Sequence, residues 1–276
     1  MYSPSHVVVA TTGGARGAEA ARVGDQLAKL YGATMELFSG VEEAGEVDAR
    51  RGELQRLIHE TGVTAEAHVG LESDAPEEFI EEIAARGLIC MATSAKLTRH
   101  DGHFGSYAER TLRAARHPVV LLGPRTSKGI DAVDRVVVAV DGSELAERAV
   151  PLGASIAERL GVNLWVVTVV TPDVQRASAA AGVVHEAGYV RRLAEPHAAQ
   201  YEVLHGDDVP EAIVTFAGTA GLIVTTTHGA TGLRRLVTGS VAMGIVADSH
   251  APIVVVPPQF STDPDAEAVS EQKGAV

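Results

Sequence analysis

The chain reads twice. His6 to Val41 aligns without a gap on Arg135 to Val170, and Val7-Val8-Val9-Ala10 falls on Val136-Val137-Val138-Ala139. Gly13, Ala20, Gly24, Ala28 and Gly32 fall on Gly142, Ala149, Gly153, Ala157 and Gly161. The register then changes once. Beyond that point Pro76-Glu77, Gly87-Leu88-Ile89, Gly105-Ser106 and Pro118 fall on Pro210-Glu211, Gly221-Leu222-Ile223, Gly239-Ser240 and Pro252. Self-similarity on this scale is a duplication, and 276 residues suffice for two domains of ordinary size. The expected units are 1–125 and 135–260, joined by a linker at 126–134. The tail at 261–276 is polar, acidic and free of aromatics, and is expected to be disordered.

Each copy alternates short β-branched runs with helical stretches. In the second copy Val136 to Val140 reads as a strand, and Asp141-Gly142-Ser143 as a turn. Either Asp141 or Ser143 can cap the helix of Leu145 to Leu160, which Gly161 ends. Leu164 to Val170 reads as the second strand, 175–182 as an irregular loop, and Tyr189 to Glu195 as a short helix stopped by Pro196. Tyr201 to Leu204 is the third strand, and Val209-Pro210-Glu211 opens a helix with Pro near its first position. Leu222-Ile223-Val224 and Ile253 to Val256 complete five strands. Strands apolar on both faces and separated by helices predict, for each copy, a five-stranded parallel α/β sheet with helices on both faces. Ligands in such sheets bind beyond the carboxyl ends of the strands, at a topological switch point. Asp141 and the loop after Val224 stand at two such ends.

Composition narrows the function. A net charge of −13 argues against a nucleic-acid or anionic-membrane partner. No apolar run approaches the ~20 residues of a membrane span. The start, MYSPSHVVVATTGG, has neither the basic region nor the cleavage site of a signal peptide, and the one cysteine, Cys90, sits inside an apolar run. Both set the expectation of a cytoplasmic protein with a small buried thiol.

The chemistry-bearing stretch is 221–258. After its strand come Thr225, Thr226, Thr227, His228 and Gly229, then nine residues, Ala230 to Thr238, then Gly239 and Ser240. A helical pattern follows, with Val241, Ile245 and Val246 on one face. Glycines leave backbone N–H groups open to a close ligand. A helix start at Gly239-Ser240 favours phosphate through its unpaired N–H groups and dipole. Ser240 adds a hydroxyl, and Arg234 and Arg235 lie between. On pattern alone, Ser240 is equally a plain N-cap.

This stretch resembles the nucleotide loop of the universal stress protein family, in which Gly, two residues, Gly, nine residues and Gly precede Ser or Thr. Gly229, the nine-residue gap, Gly239 and Ser240 match; Thr226 stands at the first glycine. The resemblance runs over both copies, from about His6 to Pro124 and Arg135 to Pro258. It implies two tandem Rossmann-like domains, of the adenine-nucleotide α-hydrolase type, and ATP as ligand, which can bring its own magnesium ion. It implies that Asp141, after Val140, contacts the adenosine and that Val169 offers its backbone to adenine. Thr225, Thr226, His228, Gly229, Gly239, Ser240 and Val241 would hold ribose and phosphates. In the first copy Thr12 replaces Asp141, Ala92 and Ala95 replace Thr226 and Gly229, and only Gly105-Ser106 survives, so at most one nucleotide per chain is expected.

Catalytic motifs are weak. The chain contains no Walker lysine motif and no nucleophile elbow. His228 is the one histidine beside the candidate phosphate loop, and His100 and His103 read as solvated loop residues. Three readings stay open: an ATP-binding stress or signalling protein, a nucleotide-free interaction module of the same fold, and a slow ATP hydrolase. The last strands, Val119 to Leu122 and Ile253 to Val256, are apolar edges that need a partner. Family members commonly pair them across a two-fold axis, so Val120 and Val254 are expected to be buried at an internal pseudo-dimer junction, with a further homodimer compatible.

Overall fold

The computed structural model describes residues 2–71, 87–94, 96–98, 106–173, 175–176, 186–227, 240–258 and 260. The first half contributes β1 (His6–Ala10), β2 (Thr34–Val41), β3 (Glu66–Leu71), β4 (Leu88–Ala92) and β5 (Val119–Leu122). Its described helices are α1 (Gly14–Tyr31), α2 (Val47–Thr61) and α3 (Ser106–Ala114). The second half contributes β6 (Arg135–Ala139), β7 (Asn163–Val170), β8 (Gln200–His205), β9 (Gly221–Thr226) and β10 (Ile253–Val256). With them come α4 (Glu144–Leu160), α5 (Glu186–Ala194), α6 (Val209–Ala217) and α7 (Ser240–Asp248). The sequence repeat thus lands strand on strand.

All ten strands form one sheet in the order β3-β2-β1-β4-β5-β10-β9-β6-β7-β8. Each half is a doubly wound parallel set with its first strand between its second and fourth. The halves join where β5 and β10 pair antiparallel. Val120 and Val254 are register partners there and are buried, as the apolar edges required. Joining the two edges removes a liability that each half would otherwise carry.

Strand alternation feeds two cores. Val7, Val9, Val136 and Val138 pack on one face with α1, α2, α4 and α5; Val8 and Val137 pack on the other with α3, α6 and α7. One contact is made twice. A Cβ on Gly24 of α1 would meet Val9 Cγ2 at 2.3 Å, and a Cβ on Gly153 of α4 would meet Val138 Cγ2 at 2.3 Å. The matched glycines therefore let each long helix lie close on its first strand.

Local details refine the sequence reading. Glycine ends α4, as expected: Gly161 adopts φ 67° and donates back to Ala157 and Glu158. Pro210 sits in the first turn of α6, whose N-cap Asp208 accepts from the Glu211 amide at 2.8 Å. The short helix α5 ends at Ala194, just before Pro196, as expected. A 3₁₀ turn, Glu195–His197, follows α5 with Pro196 in its first turn, where a missing N–H costs nothing. α4 carries Pro151 inside it. α7 is buried from Ala242 through Asp248, beyond the single apolar face read from its sequence. Glu77 to Glu82, an acidic stretch whose sequence suits the solvent face of a helix, the histidines at 100 and 103 and the tail at 261–276 lie outside the described residues, as does most of 175–182.

The linker is held at both ends. Ser127 and Lys128 donate their amides to the His250 carbonyl at 2.9 and 3.1 Å. The Ile130 amide donates to Gln26 Oε1 at 2.7 Å. Arg125 pairs with Asp248 at 3.1 Å, offsetting a carboxylate at the negative end of α7.

Candidate functional site

In the second half the chain leaves β6 through α4 to β7 and β8, then returns to β9 on the other side of β6. The switch point therefore lies beyond the carboxyl ends of β6 and β9. Asp141 follows β6 and is exposed; Thr225 and Thr226 end β9, followed by Thr227, and all three are buried. Their adjacency follows from the β6–β9 pairing, in which Val138 lies opposite Val224.

Asp141 was expected either to cap the helix or to meet a ligand. The cap is Ser143: its Oγ accepts from the Ala146 amide at 3.2 Å. Asp141 braces that cap instead. Its Oδ1 accepts from the Ser143 amide at 3.1 Å and from the Ser143 hydroxyl at 2.7 Å. Gly142 between them adopts φ 87°, a conformation that favours glycine, and has open space where a Cβ would be. Val140 is buried, and its amide donates to the Val167 carbonyl at 2.9 Å. Strand alternation turns the peptide groups of Val169 the same way as those of Val167. The Val169 backbone thus faces the β6 side past the last β6 pair, while the Val170 carbonyl turns the other way to accept from Gly206.

Ser240 opens α7 and is exposed, with Val241 half-buried behind it. His228, Gly229, Arg234, Arg235 and Gly239 lie outside the described residues.

The sequence reading missed Tyr189. It is the lone aromatic between Trp165 and Tyr201, which is the signal that marks it. Its hydroxyl accepts from the Gly142 amide at 3.1 Å. Arg192 lies 5.6 Å from its ring centroid and 3.6 Å from the Glu147 carboxylate. Burial, then the Glu147 charge, push the Tyr189 phenol up to about 12, against the Gly142 N–H, which lowers it. The phenol is therefore neutral, a hydrogen-bonding group and not a base.

In the first half the corresponding turn is built otherwise. Thr11 Oγ1 accepts from the Gly13 amide at 2.9 Å, and Arg50 of α2 donates to the Thr12 carbonyl at 2.8 Å. Arg16 donates to the carbonyls of Leu122 and Gly123 at 2.7 and 2.8 Å and pairs with Glu19. Ala95 and Gly105 lie outside the described residues. Burial pushes the Cys90 thiol far up, so it is a core residue.

A cavity of about 910 Å³ lies elsewhere, at the amino ends of β1 to β3, lined by residues including His6, Lys29, Glu36 and His68. It is at the wrong end of the strands for the switch-point chemistry. Among the described residues, no group of three or more His, Cys, Asp or Glu could hold a metal ion, and no helix is long and apolar enough to cross a membrane.

Comparison with known proteins agrees with this architecture. The profile of the universal stress protein family matches residues 132–257. A universal stress protein of Methanocaldococcus jannaschii is 30% identical over 144 residues, which cover 46% of this chain and 84% of that protein. The fold resembles that of a functionally unknown protein from Pseudomonas aeruginosa PAO1, with a TM-score of 0.67 at 16% identity over 99% of this chain and 97% of that one. It also resembles a universal stress protein from Archaeoglobus fulgidus, with a TM-score of 0.62 at 17% identity over 91% and 96% of the two chains. The chain belongs to the universal stress protein family.

Proposed function

We propose that the second half binds ATP beyond the carboxyl ends of β6 and β9, and that occupancy biases a conformation or a partner in a cytoplasmic stress or signalling response. The observation that carries this reading is the exposed Asp141 carboxylate, braced by Ser143 at the switch point. Asp141 would accept from ribose hydroxyls. The Val169 backbone, beside Val140, would read the adenine edge. Thr225, Thr226, His228, Gly229, Gly239, Ser240 and Val241 would line the ribose and phosphate side, with any magnesium ion arriving on the nucleotide. The units 1–125 and 135–260 then divide the work. The first keeps the scaffold with Thr12 in place of the carboxylate; the second holds the ligand, at micromolar-range affinity, roughly −8 kcal/mol.

Mass spectrometry of small molecules released by denaturing the purified protein, with calorimetric titration of ATP, tests this. One adenine nucleotide per chain is expected; no measurable binding refutes it. A second reading has its own observation: Thr226, in place of the loop's first glycine, is buried at 8% exposure. A nucleotide-free interaction module would follow if titration shows no heat. A slow hydrolase would require turnover lost on changing His228 or Asp141.

A further inference from the structure

Two helices from opposite halves do the same job with different chemistry. In the first half α2 reaches over the turn after β1, where Arg50 donates to the Thr12 carbonyl at 2.8 Å. In the second half α5 reaches over the turn after β6, where the Tyr189 hydroxyl accepts from the Gly142 amide at 3.1 Å. Each turn is thereby tied to the helix that follows the next strand. The second turn carries Asp141, and Gly142 within it has φ 87° and open space around its missing side chain. Ser143 holds the carboxylate from one side through Oδ1. Tyr189 holds the peptide that joins Asp141 to Gly142 from the other. The ring is itself placed: Arg192 lies over it, and Arg192 reaches the Glu147 carboxylate of α4.

We propose that Tyr189 is a positioning residue of the candidate nucleotide site, whose hydroxyl holds the Gly142 amide and so sets where Asp141 presents its carboxylate to the ribose of a bound adenine nucleotide. This rests on the nucleotide reading above. The phenol touches no ligand in this scheme; it acts through the Asp141–Gly142 peptide. Phenylalanine in its place keeps the ring and its contact with Arg192 and removes the hydroxyl, with its hydrogen bonds to the Gly142 amide and to Glu147.

The test uses the full chain and its Tyr189→Phe and Glu147→Gln variants. Amide exchange at Gly142 and the affinities for adenosine and 2′-deoxyadenosine are measured on each. The parent should prefer adenosine, because Asp141 accepts from the ribose hydroxyls. Tyr189→Phe should speed Gly142 exchange and shrink that preference by about three- to tenfold, the worth of one neutral hydrogen bond. Its melting temperature should stay at the parent's. Glu147→Gln removes the charge of the phenol's other hydrogen-bond partner, leaves the hydroxyl as acceptor for the Gly142 amide, and should keep the preference. A structural role alone would move melting and leave the preference unchanged. Parental preference in Tyr189→Phe, equal loss in Glu147→Gln, or a parent that binds both nucleosides alike overturns the positioning role while nucleotide binding stands. A parent that binds neither nucleoside nor ATP overturns both.

Discussion

Gly123→Ala puts the junction between the halves under direct test. Gly123 follows β5, and a Cβ there would lie 1.7 Å from the Val246 carbonyl oxygen and 2.8 Å from its carbonyl carbon. Carbon–oxygen contacts ordinarily sit at about 3.3–3.6 Å. The obstacle is backbone of α7, so no side-chain rotation relieves it. α7 is buried from Ala242 to Asp248 and leads into β10, which pairs with β5. Parting the two segments therefore disturbs the strand pairing that joins the halves. Gly123 is not among the positive-φ glycines, so alanine adds no backbone strain of its own. Overpacking costs about 1–3 kcal/mol, and a backbone collision belongs at the top, about 3 kcal/mol. For a chain of this size that is a fall of roughly 6–12 °C in melting temperature, at 2–4 °C per kcal/mol. Differential scanning calorimetry reads it. Gly52→Ala is the control: Gly52 lies inside α2 with open space where its Cβ would go, and alanine should stabilise by about 0.5–1 kcal/mol. Gly123→Ala melting at or above the parent, with Gly52→Ala raised, would refute the close approach of β5 and α7.

Ser143→Ala should destabilise by about 1 kcal/mol, because Ser143 is the cap of α4; a denaturation midpoint checks it. Asp141→Ala should weaken ATP and adenosine alike, by about 1.5–3 kcal/mol for a lost charged hydrogen bond, in calorimetric titrations. Gly239→Val, outside the described residues, should hurt ATP far more than adenosine, while Gly105→Val in the first half leaves both intact; unchanged ATP binding in well-folded Gly239→Val would sink the phosphate-loop reading. At high pH the chain should lose stability through Tyr31, whose phenol burial raises to about 12 against the lowering charge of Arg159. The folded state keeps that proton longer than the unfolded chain. The stability is therefore whole below about pH 10 and falls by roughly 2–3 kcal/mol as pH rises to 12. Tyr31→Phe should flatten the alkaline limb of the denaturation midpoint.

The strand plan was legible because it is written locally. Runs such as Val136 to Val140 and Ile253 to Val256 are short, β-branched and apolar on both faces, the pattern of a strand covered on both sides. Matching the copies then placed β1 on β6 and β5 on β10, and the apolar, proline-bounded edges, with the pairing that the family resemblance implies, marked Val120 and Val254 as buried at the junction. Helix ends such as Gly161 were legible for the same reason: αL geometry selects glycine at that one position. The Asp141 position at the end of β6 came from the same pattern, together with the family resemblance of its turn.

Other features waited on the packed chain. Asp141 and Ser143 are both good caps, and their types alone left the choice open. The choice went to Ser143 when the turn bent at Gly142 and brought Asp141 Oδ1 onto the serine. Tyr189 reaches Gly142 from a helix beyond the next strand, and Arg125, at the end of the first unit, meets Asp248. These pairs are distant along the chain and carry no periodicity. They exist because sheet order and helix packing bring particular atoms within hydrogen-bonding distance. A local pattern records which face of a segment is buried; it holds no record of which side chain from another segment will arrive there.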